Sequence, residues 1–153
     1  MNSISRFWED EMIYTELTKR AIILCFDAHK NQVDKSGIPY VFHPYHLAEQ
    51  MDDELSTVTA LLHDVVEDTA CTLADLRLMG YPEAVLEALA LLTHNQAVPY
   101  MEYVAAIKEN PIARKVKLAD LRHNSDLSRL NVIDAKALAR VEKYRDAIDF
   151  LEN

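Results

Sequence analysis

Four ionisable side chains, His63, Asp64, Glu67 and Asp68, fall within the stretch ALLHDVVEDT, residues 60–69, in the middle of a leucine- and alanine-rich run. In a helix, positions four apart share a face, so His63 pairs with Glu67 and Asp64 with Asp68. His63 and Asp64 are adjacent, ~100° apart around the helix, and converge only on something lying between their directions. A divalent cation meets that requirement. It also relieves the strong penalty on an uncompensated carboxylate in an apolar helix by turning the charge into a ligand. The competing reading is a solvated acidic face, the commoner meaning of an isolated His-Asp pair. The preceding TALL and the internal VV favour the cation, because they set His63 beside the apolar stripe rather than opposite it.

A second cluster has the same character. VKLADLRHNSDL, residues 116–127, sets polar groups beside an apolar run, with Asp120 and Asn124 four apart on one face. Asp120 is flanked by Leu118, Ala119 and Leu121, an awkward place for an unpaired charge; alone it reads as the edge of an amphipathic helix. The third element is His43, at a helix start, where a lone histidine is ordinarily a capping or packing residue. Together His43, His63, Asp64 and Asp120 make a set of two imidazoles and two carboxylates from three helices. Mixed ligation of this kind suits Mn²⁺, Fe²⁺ or Zn²⁺ with open positions rather than a closed structural zinc site.

The elements that must position these groups are helices. Apolar residues Ile13, Leu17, Ala21, Leu24 and Ala28 predict a helix over 7–30. DKSGIPY, residues 34–40, is a loop broken by Gly37 and Pro39. HPYHLAEQM starts a helix with Pro44 at the first helical position, which puts His43 at the cap with its side chain free to point away. Residues 55–68 form a strongly apolar helix. Thr72 starts the next, in a capping-box-like TLAD, and Gly80 ends it. YPEAVLEALALLTH gives another, with Pro82 in its first turn. Asn110 caps a helix with Pro111 at its first position, and Asp134 caps a last one over 135–151. IPYVF is the only strand candidate, and it is short. The expected fold is all-α, an irregular bundle of about seven to eight helices forming one domain over 1–153.

Composition supports this. The 153 residues are 50% apolar, with only two glycines and five prolines, which favours helices over hairpins. A net charge of −9 argues against non-specific nucleic-acid binding. An anionic substrate then needs a metal or a few placed cations. Cys25 and Cys71 have no metal-binding spacing and read as buried thiols of a reducing compartment. MNSISRFWED has no secretory pattern, and AIILCF is too short to span a membrane, so the expectation is a cytoplasmic protein without a membrane partner.

The order His, then His-Asp, then Asp, all on helices, resembles the HD superfamily of metal-dependent phosphohydrolases. Within it, AHKNQVDKSGIPYVFHP, ALLHDVVEDT and VKLADLRHN resemble, in order, three motif blocks of the hydrolase domain of the RelA/SpoT alarmone enzymes and of stand-alone small alarmone hydrolases. The resemblance spans roughly residues 15–150 and implies an HD-domain fold with a single Mn²⁺ on His43, His63, Asp64 and Asp120. It implies that Glu67 and Asp68 position or activate the attacking water, that Asn124 contacts the nucleotide and that Lys35 faces the phosphates. The implied reaction removes the 3′-diphosphate from guanosine 3′,5′-bis(diphosphate) or its pentaphosphate relative, giving GDP or GTP and pyrophosphate. The implied partner is thus a small phosphorylated nucleotide, and the chain is expected as a monomer or homodimer.

Two stretches depart from the family pattern. Asp34 stands where a basic residue precedes Lys-Ser-Gly, and Ser125, Asp126 and Leu127 stand in place of Met-Arg-Thr. Anions near a polyanion are unfavourable, and arginine's bidentate phosphate contact has no substitute. Lys117, three before Asp120, is a cation expected to face the site. Lys35 and Arg122 are further candidates, while Arg114 and Lys115 read as a solvated face. His29 and Gln32 read as hydrogen-bonding groups behind the site or as packing. His46, His94 and His123 receive no metal role. Phe7, Trp8 and Tyr14 read as core or a dimer patch. Two other functions stay open: an HD hydrolase of a different phosphorylated compound, and a nucleotide- or metal-binding module without turnover.

Overall fold

The computed structural model describes residues 11–153. Among them lie eight α-helices: α1 (Glu16–His29), α2 (Phe42–Glu49), α3 (Glu54–Asp68), α4 (Leu73–Leu78), α5 (Glu83–Leu92), α6 (Tyr100–Lys108), α7 (Pro111–Asn124) and α8 (Ala135–Glu152), with one 3-10 turn at Leu127–Arg129. No strand is present among the described residues; IPYVF contributes only Pro39, in an isolated bridge with Val33.

Most helix starts follow from capping side chains. Thr72 Oγ1 accepts from Asp75 N at 3.1 Å while Asp75 Oδ2 accepts from Thr72 N at 2.9 Å, a full capping box. Asn110 accepts from Ala113 N at 3.0 Å and Asp134 from Ala137 N at 2.8 Å, satisfying amide donors that a helix leaves unpaired. Gly80, at φ +91°, ends α4 in the left-handed region that glycine reaches without strain.

Several expected boundaries move. Thr15 forms a capping box with Thr18, so α1 starts at Glu16 and Ile13 lies before it. Phe7 and Trp8 fall outside the described residues, and Tyr14 is 65% exposed rather than core. His43 is the second residue of α2, not its cap. The amides of Phe42 and His43 already turn onto Pro39 O and Tyr40 O at 3.2 and 3.0 Å. Pro44 therefore falls inside the first turn, where a missing N–H has no helical partner to lose. Pro82 caps α5 from outside, and α7 stops at Asn124, after which Asp126 caps the 3-10 turn. Helix α6 follows a proline and has no side-chain cap, so it lacks the usual start signal.

Helix α3 is the axis of the fold, packed by α1, α2, α5 and α7. Every residue from Ser56 to Val65 is buried, so the helix is enclosed on all sides rather than along one stripe. Leu61, Leu62 and Val65 are fully buried beside His63 and Asp64, each worth about 1.5–3 kcal/mol of burial. A tightly packed core interior therefore fixes the two polar side chains in one position. Cys25 is buried, whereas Cys71 is only half-buried, against expectation; it lies in the turn after α3, and both thiols are free. No described helix is long and apolar enough to cross a membrane.

Candidate metal centre and adjoining cavities

Three helices bring the predicted ligands together. His43 comes from the first turn of α2, His63 and Asp64 from the middle of the enclosed α3, and Asp120 from α7, all between 3% and 7% exposed. His43 Nε2 lies 2.9 Å from Asp120 Oδ1 and 3.7 Å from Asp64 Oδ2. His63 Nε2 lies 3.1 Å from Asp64 Oδ2 and 3.7 Å from Asp120 Oδ1. One ligand atom each from His43, His63 and Asp120 lies within 4.8 Å of the others. Asp64 sits at the side of this trio, where its Oδ2 also accepts the Tyr40 hydroxyl at 2.5 Å.

His63 tests whether a cation fits. Its Nδ1 donates to Ala60 O at 2.6 Å, so Nε2 carries the lone pair of the neutral ring. That Nε2 is buried and makes no hydrogen bond, although Asp64 Oδ2 is near it. A buried polar atom without a partner needs an explanation, and a ligand nitrogen aimed at an ion supplies one. The charges agree. Burial alone would lower the His63 imidazolium, but Asp64 and Asp120 outweigh it and raise it well above its ordinary value. Burial opposes ionisation of Asp120, yet the Lys117 ammonium and the two imidazoles hold it well below the carboxylate range. Two carboxylates in this enclosure call for positive charge at their centre, from protons or from a metal. His43, His63 and Asp120 thus form a site that could hold a divalent metal.

The remaining predicted residues divide around this centre. Asn124 donates to Asp120 Oδ1 at 3.0 Å, and Lys117 Nζ donates to Asp120 Oδ2 at 3.0 Å. Lys117 is therefore committed first to a carboxylate; it also lies 5.3 Å from the centre of the Tyr103 ring. A cavity of about 280 Å³ opens here, lined by Asp64, Glu67, Tyr100, Lys117, Asp120 and Lys143. Partial burial, with Asp64 close by, raises the Glu67 carboxyl above its ordinary value. Burial and Asp64 raise Asp68 too, but Asp68 is hydrogen-bonded by Gln32, on the loop side. His29 Nδ1 meets Gln32 Oε1 at 2.8 Å, so the expected pair behind the site is formed.

A second cavity, of about 330 Å³, lies on the other side of His43, with Lys35, Asn124, Arg129 and Arg140 in its walls. Tyr40, Asn124 and Tyr144 line both cavities, so the centre stands between them. The two departures from the family pattern are accounted for locally. Asp34 Oδ1 accepts Ser36 N at 2.8 Å and Ile38 N at 3.0 Å, folding its own loop. Its Oδ2 lies 3.8 Å from the Arg129 guanidinium. Asp126 accepts Ser128 N at 3.0 Å and caps the 3-10 turn. Arg122 pairs with Glu152 and Lys115 with Asp52 and Asp53, all on the exterior, so Arg122 does not serve the site.

Sequence reasoning missed Tyr40, Arg129 and Arg140. Tyr40 was inside a recognised block, three residues before His43. Arg140 and Tyr144 are four apart on α8, a shared face that a search for cation–aromatic spacing would have found. Arg129 carried no such signal, because a 3-10 turn determines its direction.

No family model matches the chain. A GTP pyrophosphokinase of Myxococcus xanthus is 35% identical over 126 residues, covering 71% of this chain and 17% of that protein. The bifunctional (p)ppGpp synthase/hydrolase SpoT of Escherichia coli is 34% identical over 120 residues, covering 69% of this chain and 17% of that protein. The chain resembles the HD-type (p)ppGpp hydrolases. It spans only about one sixth of the length of the curated relatives it matches. A solved structure of a metazoan ortholog of SpoT, described as hydrolysing ppGpp with a role in starvation responses, superposes with a TM-score of 0.72 at 23% identity, covering 93% of this chain and 89% of that one. That likeness carries the fold: the helical arrangement expected of an HD domain is the one found.

Proposed function

We propose that the chain is a divalent-metal-dependent phosphohydrolase that removes the 3′-diphosphate from guanosine 3′,5′-bis(diphosphate) or its pentaphosphate relative, releasing pyrophosphate with GDP or GTP. The observation that carries this reading is the buried His43–His63–Asp120 trio opening onto the cavity walled by Glu67. The resemblance to hydrolases of this nucleotide supports the choice of substrate.

His43, His63, Asp64 and Asp120 would hold the ion, and their mixed nitrogen and oxygen donors suit Mn²⁺, with Fe²⁺ or Zn²⁺ as alternatives. The chemistry supplied by the cation when bound is activation of water and neutralisation of phosphate charge. The chain's own groups do the rest. Glu67 takes the proton of the attacking water, and its raised carboxyl makes it a better base than an ordinary glutamate. Asp68, steadied by Gln32, completes the acidic pair. Tyr40 holds Asp64 in place through its hydroxyl. Lys117 and Lys143 place positive charge along the Glu67 cavity, and Lys35, Arg129 and Arg140 do so in the larger one. That cavity, about 330 Å³, falls in the size range of ~300–1,000 Å³ usual for small ligands and would take the nucleoside part. No side-chain nucleophile is needed; burial, reinforced by Asp64, pushes the Cys25 thiol up to about 12, leaving it inert.

On this reading residues 1–153 are one HD-type domain, cytoplasmic and acting as a monomer or homodimer. The direct test is incubation of the purified protein with Mn²⁺ and the tetraphosphate, with pyrophosphate as the readout; no release with any divalent metal removes the alarmone assignment. Asp34 and Asp126 favour one alternative, hydrolysis of a different phosphorylated compound. Faster turnover of another member of a nucleotide panel would establish it.

A further inference from the structure

His43 and His63 face the same centre through Nε2, yet their outer nitrogens are treated differently. His63 Nδ1 meets a backbone carbonyl, Ala60 O, at 2.6 Å. A carbonyl can only accept, so the proton is fixed on Nδ1. His43 Nδ1 instead meets another imidazole, His123 Nδ1, at 2.7 Å. The two rings are nearly parallel, 7° apart, with centroids separated by 5.0 Å. That separation matches the 2.7 Å contact plus the two centroid-to-nitrogen distances, so the nitrogens point at each other along a line, as an N–H···N bond requires. An imidazole can donate or accept, and the partner, unlike a carbonyl, leaves the proton's position open.

We propose that His123 is a positioning residue whose Nδ1 accepts from His43 Nδ1, fixing His43 in the form with a free Nε2 lone pair and so setting the affinity of the centre for its cation. The inference rests on the metal-binding reading of His43, His63 and Asp120. The alternative proton arrangement is also built in. Without a cation, His43 Nε2–H donates to Asp120 Oδ1 at 2.9 Å, and its Nδ1 accepts from His123. Binding an ion at Nε2 displaces that proton. The hydrogen bond to His123 then reverses: the shared proton passes from His123 Nδ1 to His43 Nδ1, the displaced proton is made up at His123 Nε2 through solvent, and both rings exchange tautomers, while His63 keeps its Nδ1 proton on Ala60 O. Partners that hold the outer nitrogen of a ligating histidine are worth about 10–100-fold in metal affinity.

His123 lies one residue before Asn124 and three after Asp120 on α7, so the same helix supplies an acidic ligand and the support for a ligand on α2. Its ring also packs against His46, with centroids 4.2 Å apart, which limits its freedom to turn away. No metal role was expected for His123 from the sequence, because its partner is 80 residues away.

Two measurements test this. Calorimetric titration of metal-free protein with Mn²⁺ compares wild type, His123→Ala and His123→Asn, in which the side-chain oxygen replaces the accepting nitrogen. The expectation is a loss of about 10–100-fold in affinity for His123→Ala and recovery to within a few-fold for His123→Asn. Ring-nitrogen NMR of the wild type with and without Zn²⁺, a diamagnetic stand-in, reads the tautomers directly and needs no variant to fold. His43 and His123 are expected to exchange tautomers on addition of the ion, and His63 to keep its proton on Nδ1. Unchanged His43 and His123 tautomers, or wild-type affinity in His123→Ala, overturn the inference while leaving the metal site standing. A wild type that binds no divalent ion overturns both.

Discussion

At the His63 end of the site, the polar groups project from three helices whose other faces are core: α3 is buried from Ser56 to Val65, and His43 and Asp120 meet it from α2 and α7. At the Arg129 end, the cavity wall includes a loop and a 3-10 turn held by polar contacts, beside the face of α8 that carries Arg140 and Tyr144. Ser36 Oγ donates to Arg129 O at 2.6 Å, and Arg129 donates to His123 O at 2.9 Å. The first region owes its geometry to packing, and a side chain there moves only if the core does. The second owes it to single hydrogen bonds, each worth about 1 kcal/mol net, so it adjusts at little cost. The contrast teaches that the candidate metal centre and the cavity wall beside it can change separately. The acidic Asp34 and Asp126 sit wholly in the adjustable part.

The largest effect is expected at the packed end. Asp120→Ala removes one ligand and the partner of Lys117 and His43; the expected result is a loss of metal affinity of at least ~100-fold, above the effect of an outer-sphere change, with turnover below detection. If Asp120→Ala binds Mn²⁺ as the wild type does, the two ends are not distinct in the way described. Next is Glu67→Gln, expected to lower kcat by about 10²–10⁴-fold, the range for loss of a general base, with metal affinity kept. The sign of its pH dependence follows from the raised carboxyl: the proposed base must be ionised to act, so the rate is expected to rise with pH through a value above that of an ordinary glutamate. An acid limb at or below the ordinary carboxylate range would take the base role from Glu67.

Stability should follow the same division. Leu62→Ala, fully buried beside His63, is expected to destabilise by about 2–5 kcal/mol in denaturant unfolding. Phe42→Ala, 59% exposed on α2, is expected to stay within about 0.5 kcal/mol of wild type. A smaller kinetic effect belongs to the loop end. Arg129→Ala is expected to raise KM about tenfold through loss of a cation in the wall of the larger cavity, with kcat and metal affinity nearly unchanged. An equal fall in kcat would mean that Arg129 acts through Asn124, which accepts from it at 3.3 Å, and so through Asp120. The mildest change is Asp126→Arg. It removes only a 3-10 cap and restores the basic residue of the family pattern, so the expected outcome is a KM for the tetraphosphate at or below that of wild type. Asp34→Arg is a poorer test, because Asp34 also folds the loop that carries Tyr40.

The packed end was legible in the sequence, and the reason is physical. Helical periodicity is local, so ALLHDVVEDT could show His63 and Asp64 sharing a direction with an apolar run, and Asp120 and Asn124 could be placed on one face of α7. Three helices also announced their ends, α4 through Thr72 and Gly80, α7 through Asn110 and Pro111, and α8 through Asp134. The resemblance then supplied what spacing cannot: that three distant blocks meet. The error at His43 was one of register, a turn beginning at Pro39 rather than a cap at His43, and it left the residue's role intact. What remained hidden depends on long-range or irregular contacts. The Tyr40–Asp64 and His43–His123 bonds join residues 24 and 80 positions apart. Arg129 faces the cavity because a short turn aims it there. Asp34 looked like an obstacle to a polyanion until its carboxylate was found occupied by two backbone amides.

Where one ion binds decides the nature of this site most directly. Crystals of the protein grown with excess Mn²⁺ at neutral pH, measured near the manganese absorption edge, are predicted to show one anomalous peak in contact with His43 Nε2, His63 Nε2 and a carboxylate oxygen of Asp120. A map with no peak there, or with those three side chains turned away from one another, would contradict it.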